Sequence, residues 1–143
     1  MHRCVYFHDI MMNTWTKAPS LVETRTKHSS CVLGSYIYTF YGQYEKSAYR
    51  NSIERIDADK VVHNSFDQIM SWEVLELPGD LSEKFIAREL PIVAQISSTS
   101  LVILGGFNIK NYMVCSEGES YLNGFLDDIW TLKVQNEDTP IFE

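Results

Sequence analysis

Tyr36-Ile37-Tyr38-Thr39-Phe40-Tyr41-Gly42 decides the fold class of this 143-residue chain. Six β-branched and aromatic residues in succession follow Gly34-Ser35 and stop at a glycine, the pattern of a strand leaving a tight turn. Upstream, His28 to Leu33 supplies a candidate partner strand, with Leu33 to Ser35 as the turn. The arrangement returns later: Pro91 to Ile96, a turn-like Ser97 to Ser100, then Leu101 to Leu104 closing on Gly105-Gly106. Beyond a polar loop, each hairpin is followed by a strand of alternating type, Ser52-Ile53-Glu54-Arg55-Ile56-Asp57 and Asp128-Ile129-Trp130-Thr131-Leu132. Cys4-Val5-Tyr6-Phe7-His8-Asp9 is a third copy of that strand, and Trp15 and Trp72 follow Asp9 and Asp57 after a loop.

A repeat holds its spacing inside elements and varies it in loops. Arg25 to Gly42 spans 17 residues and Arg88 to Gly106 spans 18, both across the hairpin. Gly42 to Ile53 spans 11 against 23 for Gly106 to Ile129, and Asp9 to Trp15 spans 6 against 15 for Asp57 to Trp72, all across polar connections. No helix is required; the best helical candidate is Leu81 to Leu90, with Leu81, Phe85 and Leu90 on a short polar segment.

Composition narrows the function classes. Hydrophobic residues are 45% and charged residues 22%, the balance of a globular domain. No apolar run reaches the roughly 18 residues of a membrane span, and Met1 to Asp9 turns polar too soon for a signal peptide. A soluble, cytoplasmic protein is expected, with no membrane partner. Twelve basic against nineteen acidic residues gives a net charge of −7 and no Lys/Arg cluster, which argues against nucleic acid. Cys4, Cys31 and Cys115 match neither a disulfide framework nor a zinc motif and read as reduced thiols.

The repeated unit resembles the kelch motif of β-propeller proteins: an Arg and a small polar pair, a Gly turn, an aromatic strand closing on a double Gly, a third strand ending near Asp, and a Trp opening the fourth. The first copy offers Arg25, His28-Ser29, Gly34, Tyr36, Tyr38, Tyr41-Gly42, Ile53 to Asp57 and Trp72. The second offers Arg88, Leu101 to Leu104, Gly105-Gly106 and Asp128 to Leu132. The periods of 57 residues (Trp15 to Trp72) and 64 (Gly42 to Gly106) exceed the ~50 of a kelch unit because of the long loops. Tyr41 stands where the first Gly of the pair belongs, Ser97 to Ser100 replaces the turn Gly, and the second copy lacks its closing Trp.

The resemblance implies an all-β chain of antiparallel four-stranded blades forming an incomplete propeller of about 2 to 2.5 blades. Residues 1–18 end one blade, 19–77 form a complete one, 78–134 form three strands of the next, and 135–143 are a tail, for nine strands in all. In this arrangement Tyr and Trp plates fill the wedges between blades. An arc of blades exposes faces meant for neighbours, so further kelch blades or self-association are expected to complete it.

Catalytic and metal readings are weaker. His28-Ser29-Ser30-Cys31 and Asp127-Asp128 place neighbouring side chains on opposite strand faces, which prevents a nucleophile–base or acid–base pair from converging. Glu117 with Glu119, or Asp57 with Asp59, fall short of a calcium loop, and His2, His8, His28 and His63 lack metal-ligand spacing. Gly105-Gly106-Phe107-Asn108 is no phosphate cradle. The expected function is a non-enzymatic, protein-binding scaffold with no cofactor, its partner unspecified and the chain a fragment of a larger propeller. Partner-binding candidates on the loops are Arg25, Tyr44, Lys46, Tyr49, Arg50, Asn108, Lys110 and Tyr112, since Tyr and Arg dominate interface hot spots. Alternatives are a slice of a galactose-oxidase-like propeller enzyme, or a truncated product without independent function.

Overall fold

A computed structural model describes residues 3–46, 48–63, 70–77, 86–108, 124–134 and 140–142. Its strands in chain order are β1 (Val5–Asp9), β2 (Thr14–Ala18), β3 (Ser29–Leu33), β4 (Tyr36–Phe40), β5 (Gln43–Glu45), β6 (Ala48–Tyr49), β7 (Ile53–Asp57), β8 (Glu73–Leu75), β9 (Ile92–Ser97), β10 (Ser100–Phe107), β11 (Phe125–Val134) and β12 (Pro140–Phe142). One short helix, α1 (Ala58–His63), lies between β7 and β8. The Tyr-rich segment is β4, paired with β3 through the Gly34 turn (φ +58°) and with β7 on its other edge. All pairings are antiparallel, so the chain is all-β as expected.

Two four-stranded sheets carry the architecture, β3-β4-β7-β8 and β9-β10-β11-β12, and the hairpin β1-β2 forms a smaller sheet. Three strands go beyond the nine expected: β5 and β6, a small hairpin within the β4–β7 connection, and β12. Residues 140–142, assigned to a tail in the sequence reading, run antiparallel to β11, with Leu132 opposite Phe142 and Val134 opposite Pro140. A proline can open an edge strand because its missing N–H falls where few ladder bonds are made. A closing Trp is therefore not needed to form this fourth strand.

The helix was not expected from the sequence, and its cause is local. Asp57 ends β7 and caps α1, accepting the Lys60 N–H at 3.1 Å, while Lys60 Nζ lies 3.3 Å from the same carboxylate. Burial acts to raise the Asp57 pKa, but the hydrogen bonds from Lys60 outweigh it and hold the carboxyl below its ordinary value. Six residues are too few to show a helical period. In the segment expected to be the best helical candidate, residues 86–90 are not helical; Glu89 instead bridges to Phe107, and residues 81–85 lie outside the described part.

Packing stacks the three sheets in chain order. One face of β3-β4-β7-β8 sends Leu33, Tyr38, Phe40 and Ile53 against Leu101, Ile103 and Leu132 of the following sheet, all at 0–1% exposure. Its opposite face brings Ile56 and Trp72 against Ala18, with Val5 and Phe7 of β1 packed beside them. Each fully buried aliphatic side chain contributes about 1.5–3 kcal/mol, against about 0–1 kcal/mol for a surface ion pair, so apolar contact holds the sheets together. The Lys27–Glu89 pair across the joint (2.9 Å), with Glu89 buried and Lys27 half-exposed, adds alignment. Trp72 fills an inter-sheet wedge as expected and donates its indole N–H to Pro19 C=O at 2.9 Å. Trp15 does not: it is 69% exposed on the outer face of β1-β2, stacked on His8 at 4.6 Å.

Candidate functional site

The loop end of β3-β4-β7-β8 is organised around a buried arginine. Arg25 has a fully buried side chain, and its guanidinium donates to Tyr41 C=O (2.7 Å), Ser52 C=O (3.1 Å), Ser52 Oγ (3.0 Å) and the Glu54 carboxylate (2.6 Å). Glu54, also fully buried, accepts the backbone N–H groups of Val22 (2.7 Å) and Glu23 (3.2 Å). A buried charge persists only when paired and hydrogen-bonded, and both conditions hold here. Arg25 thereby ties the segment leading into β3 to the end of β4 and the start of β7.

Arg88 performs the same task in the following sheet. Its guanidinium donates to Gly105 C=O (2.9 Å) and to both oxygens of Asp128, at 2.7 Å for Oδ2, while Nε donates to Ile86 C=O (2.8 Å). Asp128 also accepts the Trp130 indole N–H at 2.7 Å. Burial alone would raise the Asp128 pKa; the hydrogen bonds from Arg88 and Trp130 overcome it and hold the carboxyl below its usual value.

The glycine pair beside each arginine is a conformational device. Gly105 and Gly106 take φ +51° and +113°, while Tyr41 and Gly42 take +56° and +100°. Tyr41 therefore adopts the left-handed conformation of the Gly it replaces, and its ring is fully buried near Arg88, whose guanidinium carbon is 5.2 Å from the ring centroid. Lys27 and Leu90, each two residues after its arginine, also share φ +54°. The joint between sheets runs through these positions: Gly42 N–H donates to Arg88 C=O at 2.9 Å, and Leu90 N–H donates to Lys27 C=O at 2.8 Å. A Cβ on Gly42 would meet Thr26 C=O at 2.7 Å.

Above Arg25 lies the exposed part of the cluster. Thr26 and Gln43 exchange two backbone hydrogen bonds at 2.8 Å, fastening the β2–β3 connection to the β5-β6 hairpin. Arg50 stacks over the Tyr44 ring at 4.1 Å, pairs with Glu23 at 3.1 Å, and donates to Thr24 C=O at 3.4 Å. Lys46 is exposed at the hairpin turn, and Tyr44 and Tyr49 are half-buried.

The sequence candidates separate accordingly. Tyr44, Lys46, Tyr49 and Arg50 are brought together on this loop surface. Arg25 is not among them: its side chain is fully buried, with its terminal guanidinium nitrogens held by Tyr41 C=O, Ser52 and Glu54. Asn108 is not on the loop surface either, being 5% exposed, with its amide hydrogen-bonded to Ala87 C=O and its N–H bonded to Gly124 C=O. Lys110 and Tyr112 lie outside the described residues, as do Glu117, Glu119 and Cys115. Glu23 and Glu54 were not singled out; the signal for them was the need of a buried Arg for a carboxylate.

The serine and aspartate pairs diverge as strand geometry requires. Ser29 Oγ donates to Pro91 C=O, Ser30 Oγ meets Thr39 Oγ1 at 3.0 Å, and Cys31 packs at the inter-sheet core. Asp127 is exposed while Asp128 turns to Arg88. A cavity of about 670 Å³ beside β1 is lined by His28, Ser30, Ile37, Thr39 and Trp72. Burial first, and the Arg25 charge second, lower the His28 pKa. Among the described residues no group of three or more His, Cys, Asp or Glu side chains is placed to hold a metal ion, and no helix is long and apolar enough to cross a membrane. No protein-family model matches the chain, and no curated protein matches it.

Proposed function

We propose that this chain is a kelch-type propeller segment that works as a non-enzymatic protein-binding scaffold, presenting the Tyr44, Lys46, Tyr49 and Arg50 surface to a protein partner. The observation that supports this most is the repetition of one device in two stacked four-stranded sheets, a buried Arg and a left-handed residue pair that accepts its hydrogen bond, with the seam between the sheets running beside both. Such repetition suits blades of a propeller, whose rigid sheets hold loops in fixed relative positions. Arg50 is held in place by Glu23 and by the Tyr44 ring, so little side-chain freedom is left to lose on binding. Cytoplasmic location, and completion of the propeller by further blades or by self-association, belong to the same proposal.

A photo-crosslinking amino acid placed at Lys46, compared with one at Val62 on α1, tests the reading. Val62 is 63% exposed and lies at the other end of the sheet, beyond β7. The expected result in cells is an adduct of discrete mass from position 46 that disappears with Tyr44→Ala and is not obtained from position 62. Equal adducts from both positions, or adducts indifferent to Tyr44→Ala, would contradict the proposal.

A further inference from the structure

The sheet β9-β10-β11-β12 turns one face to β3-β4-β7-β8, and among the described residues no other sheet covers its opposite, bare face. Ile92, Leu104 and Ile129 stand in a cross-strand row on that bare face, with Ile92 at 63% and Ile129 at 68% exposure. Phe125 and Leu90, at 66% and 60%, close one end of a 420 Å³ cavity above the row. An apolar patch of this kind on a β-sheet calls for a partner surface.

The internal repeat identifies the type of surface. Phe40 is opposite Ile53 in the first sheet as Leu104 is opposite Ile129 in the second. Phe40 and Ile53 are both at 0% exposure because the next sheet covers them. The bare row thus occupies the positions that already build a sheet-to-sheet interface within this chain, and Gly106 and Leu90 beside it repeat the seam positions Gly42 and Lys27. Front face meets back face in that interface. The back face still open is the outer side of β1-β2, where Tyr6 pairs with Lys17 and His8 with Trp15, with Tyr6 at 54% and Trp15 at 69% exposure.

Charge agrees with joining the two. Asp127 is exposed at the rim of the bare row, and Lys17 and Arg3 are exposed on β1-β2 and its approach. The described residues of one chain stack two four-stranded sheets and the two-stranded β1-β2, so two copies stack six sheets, four of them four-stranded, inside the range of about 4 to 8 at which stacked blades close a ring. We propose that the chain forms a two-fold, head-to-tail dimer in which the Ile92–Leu104–Ile129 face of each copy covers the Tyr6–Trp15 face of the other. This rests on the stacked-blade part of the function proposed above and is independent of its loop surface.

Sedimentation of the full 143-residue chain with Ile129→Glu and Trp15→Glu decides it. Both residues are solvent-exposed in the single chain, so each variant should keep the wild-type circular dichroism and a cooperative melt, at a temperature lowered only by the loss of association. The wild type is expected at twice the 16.5 kDa chain mass and each variant alone at the single-chain mass. An equimolar mixture of the two variants should recover dimer, because one of its two interfaces is then intact. A wild-type monomer at every concentration, as when further sheets of a longer chain cover the face, overturns the dimer. So does a dimer that survives Trp15→Glu, which would mean like faces pairing, or an open-ended polymer. A monomer that keeps the Tyr44-dependent adduct at position 46 would remove the dimer and leave the loop reading standing.

Discussion

Tyr41 shows two residue-scale effects in opposition. Its left-handed backbone (φ +56°) costs about 1–2 kcal/mol relative to an ordinary conformation, and glycine would remove that cost. Its fully buried ring contributes more, since truncating a buried aromatic typically costs about 3–5 kcal/mol. Burial wins, so Tyr41→Gly should destabilise the protein by about 2–3 kcal/mol in denaturant titration, although it restores the glycine of the repeat pattern. Arg25→Ala should be more severe than a surface arginine change, about 3–5 kcal/mol, because it strands the buried Glu54 carboxylate. The Arg88–Asp128 pair adds a pH dependence with a definite sign. A carboxyl whose folded pKa lies below its unfolded value of about 3.9 stabilises the fold fully above that value and loses the contribution as pH falls through the folded pKa. Asp128→Asn should therefore lower the melting temperature at pH 7 and flatten its decline below about pH 4. An unchanged acid limb in thermal melts would show that this pair contributes little.

Elements in this protein are fastened at their ends. Gly42 is where a Cβ meets the Thr26 carbonyl and where the N–H crosses to the next sheet, so Gly42→Ala should open the joint as well as strain the turn. Amide exchange should then rise at Leu90 as well as around residue 42, whereas a local effect would spare Leu90. Arg50→Ala, although a loop substitution, removes contacts that fasten the loop. Its ion pair with Glu23 and its contact with the Tyr44 ring give an expected loss of about 0.5–1 kcal/mol, measurable by chemical denaturation. The elements that sequence reading missed are the ones with little pattern to read. The α1 helix rests on one capping aspartate, β5 and β6 span three and two residues, and β12 is three residues beginning with proline. The run Tyr36 to Phe40 was legible because both its faces are covered and every side chain is buried or half-buried, which leaves an unbroken strand-forming run, while β11 alternates along its first half and leaves a period of two.

At the scale of the molecule, the repeat of hairpin and third strand was legible because its spacing is rigid within elements. The candidate site was only half legible. Tyr44, Lys46, Tyr49 and Arg50 do share one loop surface, but sequence gives no exposure, so Arg25 and Asn108 were grouped with them although both are buried. A loop arginine and a core arginine look alike until the carboxylate that answers the charge is located; here it lies 29 residues away, at Glu54. The two four-stranded sheets are one stacked body joined along the Gly42–Arg88 and Lys27–Leu90 backbone bonds. Residue-resolved hydrogen exchange of the amides of Gly42 and Leu90 tests it most directly. Protection equal to that of the interior amides of β4 and β10 is expected, because the seam opens only when the shared core of Phe40, Ile53, Leu101 and Ile103 opens. Exchange of these two amides at loop rates, with β4 and β10 still protected, would contradict it.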